Sequence, residues 1–152
     1  MNQTILKPAQ VISTLNNLIE LNRDSQKGFL DAAEKMNAPQ IKTYFLEQSL
    51  ARAHFAGELQ TLVHSLGEEP DDTGTVAGAL YRGWLDLKSA LGGGDHAILA
   101  VIETVEDHVT TKYRKTLAES LPSDVRDIVE RQFQSILQAH DKVKALRDGL
   151  AK

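Results

Sequence analysis

Apolar residues recur along this chain at spacings of three and four, the repeat of one face of an α-helix. From Pro8, "PAQVISTLNNLIELNRDSQKGFLDAAEKM" places Val11, Leu15, Leu18, Phe29, Ala33 and Met36 in one stripe. Asn37 to Pro39 breaks the run. Asn37 is expected to cap the next helix, and Pro39 suits a first turn. A second run passes through Ile41, Phe45, Phe55, Leu59, Leu62 and Leu66 and ends at Gly67. Beyond the loop "EEPDD", Thr75 is placed to cap a shorter run, "VAGALYRGWLDLKSAL", which Gly92 to Gly94 stops. Asp95 is the expected N-cap of a third long run, through Ile98, Ile102, Val105, Val109 and Tyr113. "SLPSD" breaks that run. The last one follows through Val125, Ile128, Val129, Ile136, Val143 and Leu146. The pattern predicts a single all-α domain over 1–152, with helices over about 8–36, 38–66, 76–91, 95–119 and 123–149 and no strand.

Helices approaching thirty residues are roughly 40 Å long at 1.5 Å per residue, and one apolar stripe on such a helix is normally buried in a bundle. Short breaks join the first pair and the last pair of long helices. The connection between the pairs is long enough to run the length of the bundle. Two antiparallel hairpins joined by a long crossover is the connectivity of ferritin-like four-helix bundles, here with a short fifth helix in the crossover.

The crossover "SLGEEPDDTGTVAGALYRGWLDLKSAL", with "LNNLIELNRDSQKGF" before it and "LPSDVRDIVERQ" after it, resembles a bacterial, mostly proteobacterial, ferritin-like family of unknown function. The resemblance spans most of the chain. It implies the bundle fold, and no established chemistry comes with it.

Composition narrows the function classes. The 152 residues carry a formal net charge of −4, against the basic surface that nucleic-acid binding needs. Cysteine is absent, which removes disulfides and thiolate ligands and fits a reducing cytoplasm. The N-terminal "MNQTILKPAQ" has no basic region followed by an apolar run, so no signal peptide is expected. No stretch approaches the roughly 18 apolar residues of a membrane span.

Iron is the cofactor that a ferritin-like bundle raises. Di-iron bundles use a Glu on each of two helices and a Glu-x-x-His on each of the other two. Three positions before His54, His64, His96, His108 and His140 stand Ala51, Thr61, Gly93, Val105 and Leu137, so the motif is absent. Stepping about 100° per residue places Asn22, Gln48, Arg52, Glu106 and Gln132 on the inner faces, near one level. Ser25 and Gln26 sit beside Asn22. Glu20, Glu103, Asp107 and Glu130 come out pointing away, and His140 flanks the last stripe.

That layer holds one carboxylate and one guanidinium. Two ferrous ions need about four carboxylates, and arginine cannot ligate. An Arg52–Glu106 pair is therefore expected where related bundles hold iron. The alternative is a non-standard iron site drawing on Glu47, His54 and Glu58, or on Glu106 with His140, with oxidase or storage activity following from it. His54 and Glu58 are one turn apart on a helix, a spacing that surface pairs also show. Their stripe, with Glu47 and Ala51, is equally suited to being covered by the crossover helix or a second subunit. The "EDH" at 106–108 splays about 100° per residue and cannot grip one ion.

"GGGD" lacks the Lys and Ser/Thr of a phosphate loop, and no spacing signals a catalytic triad. The sequence points to a cytoplasmic, non-enzymatic bundle without cofactor, acting through a protein partner or as a homodimer. A stress-related role follows from fold analogy alone. An apolar ligand between the helices near Gly28 and Trp84 is the third reading.

Overall fold

The computed structural model describes residues 5–69 and 92–150. They form four helices, α1 (Pro8–Lys35), α2 (Pro39–Ser65), α3 (Asp95–Leu117) and α4 (Ser123–Leu150), and no strand occurs among the described residues. The short helix expected over 76–91, with Tyr81 and Trp84, lies outside them.

The ends of the helices show how the hairpins are tied. Pro8 opens α1, where its missing N–H costs nothing, and the Lys7 N–H donates to Gln10 Oε1 at 3.0 Å. Asn37 does not cap α2. The N-cap is Ala38, which offers no side-chain acceptor. The acceptor arrives from α3 instead: the Asp95 carboxylate takes the Asn37 N–H at 2.7 Å and the Ala38 N–H at 2.9 Å. Asp95 thus lies one residue inside its own helix, and Gly94 is the N-cap, at φ 87 and ψ 175, a conformation almost confined to glycine. At the other end of α2, Gly67 turns left-handed at φ 88. Its N–H donates to His64 O and the Glu68 N–H to Val63 O, which completes a Schellman motif. Between α3 and α4 the Arg126 guanidinium donates at 3.0 Å to Leu117 O, a carbonyl at the open end of α3, and at 2.5 Å to Glu119 O in the turn.

α1 packs along α2, and α3 along α4, as two hairpins; α1 also meets α3, and α2 meets α4. Asp95 stands beside the α1–α2 turn, whereas Leu62 and Val63 near the end of α2 share a core cluster with Leu121 and Val125 around the α3–α4 turn. The end of α2 and the start of α3 are therefore at opposite ends of the bundle. The core falls into two clusters. One holds Val11, Leu15, Leu59, Val109, Val129 and their neighbours; the other holds Phe29, Phe45, Ile98, Ile102 and Val143. Phe29 and Phe45 meet edge-on, 5.4 Å between centroids, an arrangement that the ring quadrupoles favour. Buried polar side chains lie where the clusters meet.

Candidate functional site

Arg52 and Glu106 occupy the centre of α2 and α3. Both are essentially out of solvent. Arg52 Nη1 donates to Glu106 Oε2 at 3.1 Å and Nη2 donates to Oε1, a two-pronged ion pair. The guanidinium carbon stands 5.2 Å from the Phe29 ring centroid, so α1 supplies a cation–π face to the same pair. Arg52 Nε has no hydrogen-bond partner among the described residues. Phe29 comes one turn after Ser25 on α1, which is how the sequence spacing delivers the ring.

A second polar chain crosses all four helices beside it. Asn22 of α1 donates through Nδ2 to Leu18 O at 2.8 Å and to the Tyr113 hydroxyl at 2.7 Å. Tyr113 of α3 donates to Gln132 Oε1 at 2.7 Å. Gln132 of α4 donates through Nε2 to Phe55 O at 3.2 Å and to Glu58 Oε1 at 3.1 Å, both on α2. Two backbone carbonyls fix the direction of this chain. Leu18 O and Phe55 O can only accept, so each amide nitrogen must face them. Tyr113 is then left to donate toward Gln132 and accept from Asn22. Burial pushes the Tyr113 pKa well up, with the Asn22 hydrogen bond and the Arg52 charge opposing. The phenol stays protonated, as its role as a donor requires. Glu58 is the outer end of the chain, 20% exposed, and Arg131 clasps it at 3.3 and 2.7 Å. Burial works to raise the Glu58 pKa. Hydrogen bonds from Arg131 and Gln132 and the nearby charges of Arg131 and His54 outweigh it and hold the carboxyl below its usual range.

Asn22, Arg52, Glu106 and Gln132 are buried, while Gln48 is only half-buried. Tyr113, the link between the two amides, is a site residue that the apolar pattern hides, because a tyrosine in a stripe counts as apolar. The signal was available: a buried phenol needs a partner, and Tyr113 sits between inward-facing amides on neighbouring helices.

The candidate metal ligands are not brought together. Glu106 is engaged by Arg52, and Glu58 by Arg131 and Gln132. His54 Nε2 lies 3.8 Å from Glu58 Oε2, with its side chain 70% exposed, and Glu47 is exposed. His140, on α4, faces Asp107 of α3 through Nε2 and Asp141 through Nδ1 at 3.3 Å. Asp107 thus has a partner across the seam. Glu103, also expected to point away, has a side chain only 15% exposed, with Arg147 Nη1 2.8 Å from its Oε2. Among the described residues no group of three or more His, Cys, Asp or Glu side chains is arranged to hold a metal ion. A guanidinium among amides, with one carboxylate, does not fit a di-iron centre. Nor is any helix among the described residues long and apolar enough to cross a membrane.

Among the described residues these features define two packed helix pairs, without strands, and a buried ion pair at mid-height. The chain belongs to a family described as a domain of unknown function, DUF2383, which matches residues 10–119 and so covers all but the first two residues of α1, and α2 and α3 in full. No curated protein matches the sequence.

Proposed function

We propose that this chain is a ferritin-like bundle in which a protein ion pair stands in the place of the di-iron centre, and that it works in the cytoplasm as a metal-independent interaction and self-associating module. The observation that carries the reading is the Arg52–Glu106 pair, buried at the midpoints of α2 and α3. The opposite-end placement of the end of α2 and the start of α3 supports a single long crossover, the ferritin-like connectivity. At mid-height a ferritin-like di-iron site needs carboxylates converging from several helices. Here the carboxylate of Glu106 meets a permanent cation from its own chain. The guanidinium balances the charge that metal balances elsewhere, and the amide–phenol chain fills the rest of the layer.

Metal content tests this directly. The untagged protein is loaded anaerobically with ferrous iron, desalted, and assayed for metal per chain, then exposed to oxygen while the near-ultraviolet spectrum is followed. The expected result is close to no bound iron and no oxo-bridged absorption. About two irons per chain with a new band would overturn the reading. Bound metal shared between two chains, and lost in His54→Ala, would replace it with an intersubunit metal clip.

A further inference from the structure

The outer face of α2 is built for a second helix. Thr43, Leu46, Glu47, Leu50, His54 and Gly57 fall within one stripe at about 100° per residue, opposite the stripe of Phe45, Arg52, Phe55 and Leu59 that faces the core. Leu50 is 72% exposed and Leu46 43% exposed, one turn apart. A Cβ at Gly57 would meet nothing within 4 Å, so this side of the helix is open and flat. α2 therefore carries apolar side chains on both faces. Two exposed leucines one turn apart make an apolar patch of the kind that a partner covers.

We infer that the occupant of this face is a second copy of the chain, docked α2 against α2 in antiparallel register about a two-fold axis passing between Leu50 and Ala51. Polar complementarity selects this partner, because a carboxylate only accepts hydrogen bonds and an imidazole N–H can donate one. In that register Glu47 stands level with His54 of the second copy, and symmetry supplies the reciprocal pair. Leu50 meets Ala51 of the second copy at the centre, where two leucines and two alanines are flanked by the two Glu47–His54 pairs. A parallel register would set Glu47 against Glu47, a like-charge contact that costs affinity. The surface is thus complementary to itself only under a two-fold operation, the condition for an isologous dimer. The His54 side chain is 70% exposed and stands 3.8 Å from Glu58 Oε2, beyond hydrogen-bond reach, while both Glu58 oxygens are held by Arg131, with Gln132 sharing one of them. The inference deepens the self-association reading above and rests on it. The metal-free core is measured separately, by metal content.

Sedimentation velocity over a concentration series tests it on the full chain. The wild type is expected to sediment as a dimer. Leu50→Glu is expected to weaken the dimer at least about thirtyfold, as loss of a central contact does, with the helical circular dichroism unchanged. Either single variant is expected to weaken it roughly tenfold or more: Glu47→Lys removes the acceptor that faces His54, and His54→Glu sets a carboxylate against Glu47. The double variant E47K/H54E sets opposite charges against each other and is expected to recover most of that loss. A wild type that stays monomeric at its highest soluble concentration would overturn the inference. So would a dimer indifferent to Leu50→Glu, or a double variant no tighter than the weaker single one.

Discussion

At the scale of single residues, the decisive side chain is Arg52. Removing a buried charge from its partner strands the other charge, which costs far more than the intact pair contributes. Arg52→Ala is therefore expected to lower unfolding free energy by about 3–5 kcal/mol, and Glu106→Ala by a similar amount. Urea denaturation followed by circular dichroism reads both, and a loss near zero in either would mean that the charges are not confined as the geometry places them. Asp24 shows the same physics from the losing side. It is half-buried on α1, and burial, with Glu20 adding to it and Lys27 opposing, pushes its pKa up to about 6. Stepping at helical period set Asn22, Arg52, Glu106 and Gln132 on inner faces, and the structure buries those four. The same stepping could not report Glu103 or Asp107. It measures direction from the bundle axis, whereas both residues sit at the edge where α4 brings Arg147 and His140 alongside.

The helices and their termini carry the next level. Proline and glycine mark boundaries for opposite reasons: Pro8 and Pro39 lie in first turns, where a fixed φ and a missing N–H cost nothing, and Gly67 ends α2 in a left-handed cap that a residue with a Cβ rarely adopts. Asn37 misleads because capping chemistry is local, while the acceptor that serves the start of α2 comes from Asp95, far along the chain. The α3–α4 seam responds to pH. Burial works to lower the His140 pKa, but hydrogen bonds and charges from Asp107 and Asp141 outweigh it, so the folded value lies above the ordinary histidine value of 6.5. A raised folded pKa means that the stabilisation is fully present below about 6.5 and is lost as pH rises through the higher folded value. His140→Gln should remove that slope. Melting temperatures of the two proteins, measured from pH 5 to 9, are expected to differ most at the acid end and converge at the alkaline end, while parallel curves would rule out a charged His140 in the seam.

For the molecule as a whole, the polar layer divides two apolar cores that would otherwise tolerate sliding. An ion pair and a directed chain of amides and phenol hold only in one register, whereas aliphatic surfaces repack readily. Replacing both charges, as Arg52→Met with Glu106→Leu, is expected to leave stability unchanged or raise it by about 1–4 kcal/mol. The cost should appear as lost uniqueness, read as broadened or doubled amide peaks in two-dimensional NMR; sharp single peaks would show that packing alone sets the register. By itself the sequence determined the four long helices, their order and most of their inner faces, since periodicity and helix-boundary residues act over a few positions. Only the tertiary structure decided which polar groups meet. Tyr113 joins Asn22 to Gln132, and Asp95 serves a helix in the other hairpin, because partners distant in the chain become neighbours only when the hairpins pack. A one-dimensional pattern specifies which way a side chain faces, and hydrogen-bond partners are set by distances between elements that the pattern does not contain.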